Sequence, residues 1–115
     1  MGMDMYLFTA HSKKELEDPN FWSKKEHDDP FSSAGEVYYS RKFWDLYNNL
    51  SFTSHYECGT WIPLTKDQIE EMLDFSCHNR DYFDGFDTVI QLCEVLSHWD
   101  EIEENGLKVF FECDW

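Results

Sequence analysis

The chain has 115 residues, and its 24 acidic residues outnumber the 9 basic ones, giving a formal net charge of −15. We expect no direct binding to nucleic acid, because neutralising phosphates needs clustered Lys and Arg. We also expect no membrane span, because the apolar runs are too short. Aromatic residues make up 18% of the sequence, which supplies the apolar surface that acid-rich disordered chains lack. The composition predicts one folded domain over residues 1–115 with the excess charge outside.

The first predicted strand lies near residues 3–9, where apolar and mixed side chains alternate. A polar stretch with two prolines follows over residues 11–35 and predicts a long loop with one short helical turn. The large apolar residues of this loop are Phe21, Trp22 and Phe31. We expect them to pin the loop to the core, because long loops inside a domain are usually tied down or functional.

The spacing of Ser33 and Glu36 is that of a capping box, and the apolar residues that follow predict a helix from about 35 to 50. A short β-prone segment near 57–62 predicts a strand that stops at Pro63. A second capping box at Thr65 then begins a helix with its apolar residues at helical spacing.

A third helix is expected to begin at Asp84 and to end before Asn105. Its predicted core face contains Phe86, Val89, Ile90, Cys93, Leu96 and Trp99. The acids at its end, 100–104, would oppose the helix dipole there. A last alternating strand follows near 107–113.

The fold class predicted from this order is α+β. Its small sheet has strands near 3–9, 57–62 and 107–113, with about three helices packed on one face.

Four cysteines without a CxxC motif indicate reduced thiols in a cytosolic protein. His55 and Cys58 have HxxC spacing, and Cys77 with His78 would supply further zinc ligands. Adjacent residues of a helix point to different sides, so we predict no metal site, although binding by His55 and Cys58 stays open. The acidic field opposes thiolate formation, and no nucleotide-binding motif is present. We therefore expect neither a cofactor nor an enzymatic activity.

Residues 1–7, 36–42 and 110–115 together resemble a group of small phage- and prophage-encoded proteins. Those chains open with a Met-Gly-Leu-Asp-Met-Tyr-like strand, continue with a Tyr-x-Arg-Lys helix and close with an aromatic strand ending in Trp. The sequence departs from that pattern at residues 43–45. The resemblance implies a phage origin and a cytoplasmic location inside a bacterial host cell, and it transfers no site residues.

The negative charge is concentrated in residues 58–115, which hold 14 acidic and 3 basic residues, a net charge of −11. Carboxylates three or four positions apart on a helix stand ~5–6 Å apart between Cβ atoms, a scale similar to that of DNA phosphates. We therefore predict an inhibitor that imitates the phosphate backbone and binds the basic surface of a nucleic-acid-binding host or defence protein. The predicted contact residues are Asp67, Glu70, Glu71, Asp74, Asp81, Asp84, Asp87, Asp100, Glu101, Glu103 and Glu104, with Trp22 and Tyr82 as aromatic anchors.

Two other interpretations remain open. The acidity would serve solubility alone if no partner recognises it. Alternatively, the chain is a non-enzymatic interaction module or homodimer that uses an aromatic surface.

Overall fold

The computed structural model describes residues 4–23, 29–41, 44–50, 61–79 and 85–114. Its elements in chain order are β1 (Asp4–Ala10), α1 (Lys13–Glu17), α2 (Pro19–Ser23), β2 (Gly35–Arg41), α3 (Trp44–Asn49), β3 (Ile62–Leu64), α4 (Lys66–His78), α5 (Gly85–Ser97), α6 (Trp99–Glu104) and β4 (Lys108–Asp114). None of the helices within these residues is long and apolar enough to cross a membrane.

The four strands form one antiparallel sheet in the order β2-β1-β4-β3, which confirms the α+β class. The first and last predicted strands are confirmed as β1 and β4, and they pair with each other at the centre of the sheet. In their register Met5 faces Cys113 and Leu7 faces Phe111. The strand predicted near 57–62 is observed as β3 (Ile62–Leu64), which runs through Pro63 instead of stopping there. Residues 57–60 of that prediction lie outside the described residues.

The larger core lies between one face of the sheet and α3–α6. Met5 and Leu7 of β1 alternate into it, as do Val109, Phe111 and Cys113 of β4. All five side chains are fully buried. Because β1 and β4 occupy the middle of the sheet, their side chains form the centre of this core.

Helices pack on one face of the sheet as predicted, and the opposite face is covered as well. Leu16 of α1 and Phe21 of α2 pack there against Phe8, Ala10 and Phe110. The rings of Phe8 and Phe21 meet edge to face at a centroid distance of 6.3 Å. The polar segment 11–35 therefore contains two short helices whose few apolar side chains bury the second face of β1 and β4.

The predicted helix over 35–50 is wrong in its first half, which is the edge strand β2. Exposed Tyr39 and Arg41 alternate with buried Tyr38 and Ser40, the two-residue period of a strand. A bulge opposite Leu7 and Phe8 interrupts the register. The expected capping box does not form, because the Ser33 hydroxyl donates to the carbonyl of Asp29 at 3.1 Å. Helix α3 begins only at Trp44.

The free edge of β2 is closed by one side chain of α5. Gln91 accepts a hydrogen bond from the backbone N–H of Tyr39 at 2.9 Å and donates one to its carbonyl at 2.9 Å. An amide side chain thus supplies the pairing that another strand would otherwise supply. At the other edge, Pro63 interrupts the row of N–H donors on β3. Both devices discourage the sheet from adding a strand of another chain.

The third predicted helix is observed as two helices, α5 and α6, that meet at His98. Its predicted core face is only partly correct. Trp99 is buried, and Val89 and Leu96 are half-buried, whereas Phe86, Ile90 and Cys93 are exposed. The buried residues of α5 are instead Gly85, Thr88, Leu92 and Val95.

Candidate protein-binding surface

Helix α4 carries an acidic stripe on the side opposite its buried face. The capping box at its start is confirmed: the Thr65 hydroxyl accepts from the Gln68 N–H at 3.3 Å, and the Gln68 side chain accepts from the Thr65 N–H at 2.8 Å. This cap fixes where the helix begins, and packing against the core buries Ile69 and Met72, with Ser76 on the same face.

The four acids of α4 that were predicted as contacts lie together on this stripe. Asp67, Glu70 and Asp74 are exposed, and Glu71 is half-buried. Their spacings of three and four residues place them on one side of the helix. Asp67 also lies in the first turn, where the helix dipole favours a negative charge.

A second group of predicted contacts lies on α6. Asp100, Glu103 and Glu104 are exposed, and Glu101 is half-buried. Because α6 starts anew at Trp99, Asp100 and Glu101 lie in a first turn and are favoured by the helix dipole. The expectation that these two acids oppose the dipole is therefore wrong. Only Glu103 and Glu104 lie near a helix C-terminus.

Helix α6 is positioned by contacts around His98. The imidazole of His98 stacks on the ring of Phe31 with 4.0 Å between centroids and 5° between planes. Its Nδ1 donates to the carbonyl of Glu94 at 2.9 Å. After the helix, Asn105 donates to the carbonyl of Phe31 at 3.2 Å. These contacts hold the loop around Phe31 against the junction of α5 and α6, and they orient the acids of α6.

The remaining predicted contacts are more scattered. Asp87 is exposed in the first turn of α5. Trp22 lies in α2, whereas Asp81, Tyr82 and Asp84 lie outside the described residues. The structure therefore brings the predicted acids together in two groups, one on α4 and one on α6.

An exposed apolar stripe on α5 was missed, because its residues were predicted to be buried. Phe86 is 59% exposed and Ile90, one turn later, is 52% exposed. Cys93 continues the stripe and is exposed as well. Asp87 and Glu94 flank these side chains. The excess of apolar residues on α5 over those that one buried face can hold is the signal that would have identified it.

A row of partly exposed polar aromatics lies on the second face of the sheet, beyond α1 and α2. The Tyr6 and Tyr39 rings contact each other with 5.1 Å between centroids. The Tyr39 hydroxyl donates to Asp4 at 3.2 Å, and the Trp61 indole donates to Glu112 at 2.8 Å. Carboxylates thus accept hydrogen bonds from the polar ends of these side chains.

The thiol and metal predictions have different outcomes. Cys113 is buried and Cys77 is exposed, and Cys93 is exposed although it was predicted on a core face. His55 and Cys58 lie outside the described residues. Within the residues that the structure describes, no group of three or more His, Cys, Asp or Glu side chains is arranged to hold a metal ion.

No family model, curated protein or solved structure significantly matches this chain.

Proposed function

We propose that this chain is a small acidic phage-type protein that acts in the cytoplasm of a bacterial host cell. It binds and inhibits a host or defence protein by occupying that protein's basic nucleic-acid-binding surface. The acids of α4 and α6 take the place of nucleic-acid phosphates, and the chain itself performs no catalysis.

The stripe of α4 is the observation that supports this proposal best. Its exposed carboxylates repeat at three- and four-residue spacing, so neighbouring charges stand ~5–6 Å apart at Cβ. A net charge of −15 adds long-range attraction to a cationic partner. The charge is fixed on a capped helix, so little conformational entropy is lost when the partner binds.

The proposal is tested by capture from bacterial lysate at low and high salt. We expect basic nucleic-acid-binding proteins to be retained at low salt and released at high salt, because screening shortens the reach of exposed charges. The purified target should lose its nucleic acid when this chain is added. Retention that is insensitive to salt, or a captured complex that still binds nucleic acid, would contradict the proposal.

Neutralising the acids tests which surface binds. A first variant replaces four exposed acids of α4 and α6: Glu70→Gln, Asp74→Asn, Asp100→Asn and Glu104→Gln. At about 0.2–1 kcal/mol for each of the four exposed charge pairs, we expect the Kd for the captured target to rise between about fourfold and several hundredfold. The measurement is a titration of purified target at constant ionic strength.

A control variant with the same net charge separates local contacts from total charge. It carries Glu17→Gln, Asp18→Asn, Asp29→Asn and Glu36→Gln. We expect its Kd to stay within about threefold of the unmodified chain, the effect of weaker long-range attraction alone. An equal loss of affinity in the two variants would show that binding depends on the total charge and not on the acids of α4 and α6.

The alternative of an interaction module or homodimer is favoured by one observation, the exposed Phe86 and Ile90 on α5. Large exposed apolar side chains that lie together often mark interaction sites. Sedimentation at low micromolar concentration distinguishes this alternative, because a homodimer would sediment as such and dissociate on Phe86→Ser. A monomer at all concentrations would contradict self-association.

A further inference from the structure

A pocket of about 380 Å³ opens between α6, β3 and the start of β4. Leu64 of β3 pairs with Val109 of β4, and these two residues form one side of it. Most of the surface inside the pocket is apolar, and the apolar residues that border it are Pro63, Leu64, Trp99, Leu107 and fully buried Val109. The size is within the range of small-molecule and anchor-residue pockets, which start near ~300 Å³.

One carboxylate is fixed at this pocket. Glu103 lies one turn after Trp99 on α6, and the Trp99 indole N–H donates a hydrogen bond to it. Lys108 also borders the pocket, but it pairs with Ala10 of the second cluster, so its side chain is directed to the opposite face of the sheet. The charged side chain at the pocket is therefore that of Glu103.

We propose that this pocket receives an arginine side chain of the partner protein. The aliphatic part of arginine lies along exposed Pro63 and over the accessible edges of Leu64 and Leu107, as long cationic side chains do on apolar surfaces. The guanidinium reaches the Glu103 carboxylate, where charge-assisted hydrogen bonds form, and it contacts the Trp99 ring.

Charge complementarity selects this occupant over others. Asp100 and Glu104 are exposed on the same helix and add negative potential around the entrance. An anionic group would be repelled, and a neutral apolar group would leave the carboxylate partly desolvated without a new partner. Arginine is also enriched among the residues that dominate interface energies. The inference rests on the proposed binding to a basic protein, and it identifies an arginine of that protein as the residue that anchors the complex.

The test uses a small probe and needs no partner. N-acetyl-arginine N-methylamide is titrated into the full chain, and its citrulline analogue serves as the neutral probe of nearly equal shape. In amide- and indole-resolved NMR spectra we expect saturable shifts at the Trp99 indole N–H and the Val109 amide with a millimolar Kd. The citrulline compound should bind about tenfold more weakly, because it lacks the charge-assisted bonds to Glu103.

Matched variants check the carboxylate. Glu103→Gln should weaken arginine binding about tenfold while its amide oxygen still accepts from Trp99, so the fold is kept. Glu17→Gln removes an exposed charge of α1, which packs on the other face of the sheet, and should leave the Kd within about twofold. Equal binding of the two probes, or shifts that do not saturate, would overturn the inference. If the arginine probe binds but no protein is captured in a salt-sensitive way, the proposed function is refuted and the pocket inference stands. If a salt-sensitive target is captured but the arginine probe does not bind, the pocket inference is refuted and the proposed function stands.

Discussion

Replacing Phe111 with alanine should lower the free energy of unfolding by about 3–5 kcal/mol, a large part of the ~5–15 kcal/mol typical of a domain. Phe111 is fully buried on the central strand β4, where it faces Leu7 of β1 and Ile62 of β3. Removing its ring leaves a cavity at the centre of the sheet, and two neighbouring strands lose packing at once. Chemical denaturation followed by tryptophan fluorescence measures the loss.

Phe86→Ala is the matched control for this substitution. The same atoms are removed, but the Phe86 ring is 59% exposed on α5. We expect a change below about 0.5 kcal/mol, because alanine is the better helix former and no cavity is made. A loss at Phe86 as large as that at Phe111 would contradict the observed rotation of α5.

Tyr38→Phe should destabilise the chain by about 1–3 kcal/mol through one lost hydroxyl. The Tyr38 hydroxyl donates to the Ser40 hydroxyl at 2.7 Å and lies 3.1 Å from the Thr88 hydroxyl. All three residues are at most 1% exposed, so water cannot replace the missing partner without entering the core. The expected loss is the desolvation cost of polar groups left without this bond.

Tyr39→Phe provides the comparison on the neighbouring residue. Its hydroxyl donates to Asp4 at 3.2 Å, and the residue is 38% exposed, so water can satisfy Asp4 after the change. We expect less than about 0.5 kcal/mol, measured by the same denaturation. If Tyr38→Phe is as mild as Tyr39→Phe, the buried hydroxyl network does not link β2 to α5.

The two central strands were predictable because each has a clear period and a clear end. Leu7 and Phe8 are adjacent apolar residues in β1, and Val109 and Phe110 are adjacent in β4. Since neighbouring side chains of a strand point to opposite faces, each pair indicates a strand that is apolar on both faces. The edge strand β2 was not predictable in the same way, because the capping-box spacing of Ser33 and Glu36 precedes Phe43, Tyr47 and Leu50, whose spacing is helical. The choice is made by tertiary contacts: Tyr38 reaches the core, and Gln91 bonds the backbone of Tyr39, fifty-two positions away. Neither contact can be predicted from the periodicity of a single sequence.

The rotation of α5 was ambiguous for a different reason. Val89, Ile90, Leu92, Cys93, Val95 and Leu96 surround the helix with apolar side chains, so the pattern allows more than one core face. The buried hydroxyl of Thr88 settles the rotation through Tyr38, and a polar residue is not expected to mark a core face. The acidic stripe of α4 was predictable, because the capping box at Thr65 and the spacing of the apolar residues both predict the same helix. The pocket beside Glu103 was not predictable, because one side of it is formed by β3, which is distant in sequence from α6 and β4.

The central position of β1 and β4 has a consequence for how the chain is made. During synthesis β1 leaves the ribosome first, yet its partner β4 is formed only when residues 108–114 follow. Until then β1 has at most one neighbour in the sheet, and the apolar side chains of Met5 and Leu7 lack the facing strand. Pairing of such distant segments slows folding, because a long loop must close first. The central pair of the sheet therefore forms only after residues 108–114 have been synthesised, and we expect shortened products that lack β4 to be more sensitive to proteolysis.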